Sequence, residues 1–312
     1  MIFKMAPVRF FSSVFILICF LLSGCGDRTG SNSRRETPTS GTIHISADET
    51  FKPVMDSEVQ VFESSFPNAK LIINYKSEAE CFRDLARDST RMIIVTRPLN
   101  KEEEKFYLDS IHFVPVYGKL AYDAIAVIVN AHAHDSLFTM DEIRDLLEGK
   151  EKKDLQVVMD GLTATSTVRY AMDSILHGST LAKSVAAAPN TEGVIDYVAS
   201  NEKAVGFVGM SWIGDQDDPK QQAWLQKIRV AAVRCDSCPD KPYMQPSQEN
   251  IALKRYPMIR SLYYILKEDF KGVGNNFVNF LQFERGQLIF RRAYLMPARM
   301  SFEVRNMQIT NN

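Results

Sequence analysis

Short, wholly apolar runs recur along this chain, each followed by a segment of helical periodicity, and that alternation constrains the fold more than any other feature. Residues 92–95 (Met-Ile-Ile-Val) and 124–129 (Ala-Ile-Ala-Val-Ile-Val) are apolar at every position. That is the pattern of strands buried on both faces. Residues 42–46, 70–75, 155–159, 204–208, 228–233 and 261–266 read as further strands, rich in β-branched and aromatic side chains. Between the first two, residues 50–66 place Phe51, Val54, Met55, Val59, Phe62 and Phe66 at helical spacing. Helices are also predicted over 79–87, 102–109, 139–147, 167–176, 191–200 and 274–284, with residues 286–292 turning their apolar side inward. Thr139 followed by Glu142 is a capping box. Strands alternating with helices predict an α/β fold with helices on the sheet faces. The strands are many for one sheet, so two α/β lobes, each with its own sheet, suit the length.

The N-terminus carries a different signal. Lys4 and Arg9 flank the start of an apolar run over 10–22 that ends in Leu22-Ser23-Gly24-Cys25. The run is too short to span a bilayer comfortably and reads as a targeting segment. Its ending resembles the lipobox of bacterial lipoproteins, which implies cleavage before Cys25 and lipid on that cysteine. An uncleaved anchor or an ordinary secretory signal are the alternatives. All of them place residues 26–312 outside the cytoplasm. Residues 26–41 are polar and rich in Ser, Thr, Gly and Arg, as expected of a flexible tether.

Charge and cysteines narrow the function. With 37 Lys and Arg against 38 Asp and Glu, the chain lacks the basic excess that nucleic acid would favour. Cys81 falls within a predicted helix and reads as a buried thiol. Cys235-Asp236-Ser237-Cys238 has metal-ligand spacing, but no second pair lies near to fill zinc's four positions. In an oxidising compartment a local Cys235–Cys238 disulfide is expected. His132-Ala133-His134 and Lys101-Glu102-Glu103-Glu104-Lys105 read as a solvated loop and a solvated helix face. No Gly-x-Ser-x-Gly elbow follows a strand. No metal, cofactor or enzymatic activity is expected.

Three strand-to-helix junctions hold small hydroxylic residues: Asp48-Glu49-Thr50-Phe51, Tyr75-Lys76-Ser77-Glu78, and Leu162-Thr163-Ala164-Thr165-Ser166-Thr167. Ligands of open α/β sheets bind beyond the carboxyl ends of strands. Free N–H groups and the positive dipole end of a helix suit an oxyanion there. Ser and Thr are equally at home as N-caps, so each junction alone admits either reading.

The order of several segments resembles the phosphate-binding lipoproteins of bacterial phosphate ABC importers, within the type II solute-binding protein superfamily. Residues 45–54 (Ile-Ser-Ala-Asp-Glu-Thr-Phe-Lys-Pro-Val) are similar to that family's opening region. Thr96-Arg97-Pro98-Leu99 resembles its Ser-Arg-Pro-Leu segment. Residues 121–130 resemble its crossing strand, 138–149 the helix that follows, and 204–208 its Ile-Gly-Tyr strand. Tyr256-Pro257, Leu262-Tyr263 and residues 286–297 resemble the closing region. The resemblance spans residues 43–298.

It implies an α/β, two-lobed periplasmic solute-binding protein fold with two crossings between lobes. Residues 1–24 would be the signal peptide and 25–41 the lipidated cysteine and tether. Residues 42–120 would begin lobe one, 121–235 form lobe two, and 236–312 make the crossing and return. Carried over by position, Thr50, Phe51 and Ser77 would line the cleft from lobe one, and Thr165, Ser166 and Thr167 from lobe two. Arg97 or Arg169 would supply the counter-charge, and Asp123 is a candidate acceptor. The chain departs from the family pattern in places. Lys76-Ser77-Glu78-Ala79 stands where many members have Gly-Ser-Gly, Arg97 where some have a proton-accepting aspartate, and Met159-Asp160 where some have an arginine. The implied function is a receptor that captures phosphate or a related oxyanion and presents it to an ABC permease. Its place would be the periplasmic side of a bacterial membrane, held there by a lipid anchor. The alternative is a lipid-anchored sensor or assembly protein that uses the same fold without transport.

Overall fold

A computed structural model describes residues 36–300, apart from 88, 151–153 and 162–163. The signal segment and Cys25 lie outside the described residues, as do Leu162 and Thr163 of the third junction.

The chain alternates as expected. Strand β1 (Ser40–Asp48) leads through a single turn (Glu49–Phe51) into helix α1 (Lys52–Ser65), and β2 (Asn68–Lys76) leads into α2 (Glu78–Leu85). β3 (Met92–Val95) and α3 (Lys101–Ile111) follow, and then β4 (Val116–Asn130), the longest strand. Next come β5 (Leu137–Phe138), α4 (Met140–Glu148), β6 (Gln156–Met159), α5 (Ser166–Tyr170), β7 (Ala186–Ala187), α6 (Thr191–Ser200) and β8 (Ala204–Gly209). The last third holds α7 (Pro219–Leu225), β9 (Ile228–Val230), β10 (Ala232–Arg234), β11 (Tyr243–Met244) and α8 (Gln248–Ala252). It closes with β12 (Ile259–Leu266), α9 (Val273–Gln282), α10 (Glu284–Arg292) and β13 (Met296–Pro297).

The two lobes do not own separate sheets. A curled sheet runs in the order β2-β1-β3-β12-β4-β8-β6-β7, and β4 belongs to both halves. Its first part, up to Ala124, pairs antiparallel with β12. From Ile125 onward it pairs with β8 and β9. A strand of 15 residues is long enough to serve two cores in succession. The first core gathers Ile43, Ile45, Phe51, Met55, Phe62, Phe277 and Phe290. The second gathers Val127, Phe138, Ile143, Val157, Val194, Phe207 and Trp212. Ile251, Tyr256 and Met258 belong to the second core, and the chain re-enters the first along β12.

Two boundaries differ from the sequence pattern. The single strand predicted over 228–233 is two strands, because β9 pairs with β4 whereas β10 joins a small sheet of order β11-β10-β5. The helix predicted over 167–176 is α helical only to Tyr170 and continues as a π turn, Ala171–Ile175. Beyond β10, Cys235 and Cys238 are disulfide-bonded with Cα atoms 5.4 Å apart. Cys81 is a free thiol on α2, buried with Val95, Leu99, Tyr107 and Ile265, and burial pushes its pKa upward. Among the described residues no helix is long and apolar enough to cross a membrane.

Candidate functional site between the lobes

β1 runs parallel to β2 and β3, and β6 runs parallel to β7 and β8, so the carboxyl ends of β1, β2 and β6 can serve one site. They line a cleft of about 620 Å³ with Asp48, Thr50 and Ser77 on one lobe and Asp160, Thr165 and Asn190 on the other. Each junction has a local cause. Asp48 Oδ1 accepts from Thr50 N at 2.9 Å and starts the turn into α1, with proline in its first turn. Ser77 heads α2 in a capping box with Glu80. Thr165 heads α5, accepting from Val168 N at 3.2 Å and donating to Asp160 Oδ1 at 2.9 Å.

Behind the cleft wall, next to Thr50 and Gly209 but not among the residues that line the cleft, lies a buried cation that sequence reasoning missed, Arg260 on β12. Its side chain is 3% exposed and Asp123's is fully buried. Arg260 Nε donates to Asp123 Oδ2 at 2.9 Å. Nη1 donates to Ser166 Oγ at 2.8 Å and to Thr167 Oγ1 at 3.4 Å. The guanidinium lies 5.0 Å from the centre of the Phe51 ring, a cation–π contact. One arginine therefore gathers Phe51, Asp123, Ser166 and Thr167, residues drawn from both lobes. A signal for it was present. Arg260 is in phase with Leu262 and Tyr264, both buried on one face of β12. A charged side chain in step with buried apolar neighbours along a strand points inward. The predicted strand began at 261, one residue too late to show this.

The other residues singled out are placed differently. Arg97 stacks over Phe82 at 3.7 Å and forms two hydrogen bonds to Glu103, both 2.8 Å. It is not among the residues lining the cleft. Ser77 Oγ donates to Glu80 Oε2 at 2.7 Å. Arg169 reaches from α5 to Glu78 on α2, with Nε 2.5 Å from Oε2. Thr50 is buried in the cleft wall.

Acidic groups dominate the cleft. Burial pushes Asp48 upward, with the charge of Glu78 adding to it and Arg260 opposing it. Burial and the charge of Asp48 push Asp160 up to about 6. Burial pushes Glu49 up to about 7, against the hydrogen bond from Thr191. Among the described residues, three buried polar atoms of this region have no hydrogen-bond partner: Asp48 Oδ2, Thr50 Oγ1 and Arg260 Nη2. The last lies 2.9 Å from Asp123 Oδ2 as an ion pair without an aligned hydrogen bond. Gly209 keeps the region tight. A Cβ there would stand 2.7 Å from Thr50 Cγ2 and 3.0 Å from Arg260 Nη2. The unpartnered set comprises donors on Thr50 and Arg260 and an acceptor on Asp48. Such groups are costly when unmet in the interior.

Comparison with known proteins agrees with this architecture. The family model for the PBP superfamily domain matches residues 32–284. Over 287 residues the chain is 21% identical to the phosphate-binding protein PstS of Bacillus subtilis (strain 168), covering 87% of this chain and 86% of that protein. Among solved structures, a phosphate ABC transporter substrate-binding protein with bound phosphate from Clostridium perfringens superposes with a TM-score of 0.69 at 19% identity, over 83% of this chain and all of that one. An ABC-type phosphate transport receptor from Vibrio cholerae gives 0.60 at 16% identity, over 82% of this chain and all of that one. At these identities the structural likeness establishes the fold.

Proposed function

Since this chain belongs to the PBP superfamily, we propose that it is a lipid-anchored receptor that captures an oxyanion, phosphate, between its lobes and hands it to an ABC permease. The observation that carries this reading is the unpartnered trio of Asp48 Oδ2, Thr50 Oγ1 and Arg260 Nη2. A protonated oxyanion offers acceptors to the threonine and the arginine and a donor to the aspartate. Arg260 supplies the counter-charge, held in line by Asp123, Ser166 and Thr167. The names of the Bacillus, Clostridium and Vibrio proteins support the choice of phosphate. The Leu22-Ser23-Gly24-Cys25 motif supports export and lipid attachment at Cys25. The permease is the partner such an anchored receptor would serve.

Calorimetry with phosphate, arsenate and sulfate tests this on ligand-stripped protein. A hydrogen bond to an ionised ligand contributes about 1.5–3 kcal/mol, so Thr50→Val should weaken phosphate binding roughly tenfold or more. Ser77→Ala and Arg97→Gln should leave it nearly unchanged, because those side chains are engaged by Glu80 and Glu103. Equal losses from Arg97→Gln and Thr50→Val would move the site away from Arg260. Binding of no oxyanion would favour the sensor or assembly reading. That second reading has its own support, since Ser77, Arg97 and Arg169 already donate to carboxylates of the chain itself.

A further inference from the structure

Glu78 is the first residue of α2, and its side chain is 3% exposed. Thr96 N and Thr96 Oγ1 donate to Glu78 Oε1 at 2.7 and 2.6 Å. Arg169 Nε, from the other lobe, donates to Oε2 at 2.5 Å. Arg169 Nη2 also donates to Thr96 Oγ1 at 2.6 Å, which closes the ring of contacts. Burial raises the Glu78 pKa, but Arg169 and the Thr96 hydrogen bonds more than offset it, so the carboxylate stays ionised below its usual range. Beside it Ala79 N donates to Ala164 O at 3.2 Å, a backbone hydrogen bond between lobes. Elsewhere along the cleft Thr191 Oγ1 donates to Glu49 Oε2 at 2.7 Å, and Ser211 Oγ donates to Thr50 O at 3.0 Å.

A solute oxyanion draws two lobes together by accepting hydrogen bonds from both. Glu78 does the same from within the chain, taking two bonds from Thr96 on its own lobe and two from Arg169 on the other, the second of these at 3.5 Å. We propose that Glu78 is a built-in anion that clasps the lobes shut, so that the protein is closed before any solute binds. Being tethered, this carboxylate acts at a high effective concentration compared with a free anion. A solute can shift an opening equilibrium only by its differential affinity for the two states. Where the closed state already dominates, solute binding leaves the lobe separation where it was. Glu78 and Arg169 are thus positioning residues for the cleft, and the inference does not depend on which solute the cleft takes.

Electron–electron resonance distances between spin labels at Arg83→Cys and Pro189→Cys test it in the full-length protein, because these exposed residues line opposite walls of the cleft. With Cys19 and Cys25 replaced by serine, Cys81 buried and Cys235 and Cys238 disulfide-bonded, the label goes to the added cysteines. Ligand-stripped protein should give one short distance that inorganic phosphate does not change. Glu78→Gln and Arg169→Gln, breaking the clasp from either lobe, should each shift the distribution to longer values. A second label pair within one lobe, at Pro189 and Glu202, should stay constant and reports that the variants are folded. A long distance in the stripped unsubstituted protein that shortens with phosphate would overturn the clasp while supporting phosphate capture. Folded variants that keep the short distance would also overturn it.

Discussion

Arg260→Met is expected to cost the fold about 3–5 kcal/mol, the usual penalty for removing one partner of a buried ion pair. Asp123 is fully buried, and burial already pushes its carboxyl upward against the charge of Arg260. Without the guanidinium, Asp123 must either hold an uncompensated charge or take up a proton. Ser166 Oγ and Thr167 Oγ1 lose a shared donor at the same time. The double variant Arg260→Met/Asp123→Asn should recover more than half of that loss. It removes the stranded charge, and the Asn oxygen still accepts from Met210 N, which now donates to Asp123 Oδ1 at 3.1 Å. Urea unfolding of the three proteins measures both effects. A loss below about 1 kcal/mol in the single variant would mean that the site tolerates an unpaired Asp123. Both variants should lose oxyanion binding, which separates the role of Arg260 in capture from its role in stability.

Glu58→Met should stabilise the protein, by an amount that grows from acidic to neutral pH. Glu58 lies on α1 with no exposed surface, and among the described residues neither carboxyl oxygen has a hydrogen-bond partner. Burial alone pushes its pKa well above the ordinary 4.5. Below that ordinary value the side chain is protonated both folded and unfolded, and the unmet polar group costs about 1–3 kcal/mol. As pH rises past 4.5 the unfolded chain releases its proton while the folded chain keeps it. The unfolded state then binds fewer protons, so stability falls with rising pH until the folded pKa is passed. Methionine removes both costs at similar length. Thermal or denaturant unfolding at pH 4.5 and at pH 7.5 should show a larger gain at the higher pH. An equal gain at both would mean that Glu58 ionises alike in the two states.

The same glutamate shows how a helical pattern can be read too simply. Val54, Glu58 and Phe62 fall at intervals of four, one stripe of α1, and all three are buried. The apolar residues alone pointed to Val59 as the inward position, yet it is only partly buried. A charged residue in phase with a buried stripe looks like surface when residue type is weighed above position. Arg260 escaped notice because the predicted strand started one residue after it, so its phase with the buried residues of β12 was not visible. Arg97 attracted notice through its place in the family resemblance, but a partly buried glutamate in the next helix was near enough to pair with it. The Thr139 capping box was read correctly because it depends on near neighbours in the chain, and Cys81 because a free cysteine packs as a small hydrophobe.

What the amino-acid order determined by itself is therefore local or periodic. Continuous apolar runs required buried strands, amphipathic spacing required helices, and their alternation required an α/β fold. Ser77 and Thr165 at two helix starts, and Asp48 at a third, follow from unpaired N–H groups that need an acceptor. Tertiary structure decided what residues far apart in the chain do for one another. It let β4 carry two cores, sent residues 228–233 into two sheets, and brought Arg260 to Asp123 and Ser166 across 137 and 94 positions. It also seated Glu78 against Arg169, 91 residues away. Periodicity records which face of an element is buried, whereas an ion pair depends on which two faces meet, and that is settled only when the lobes pack.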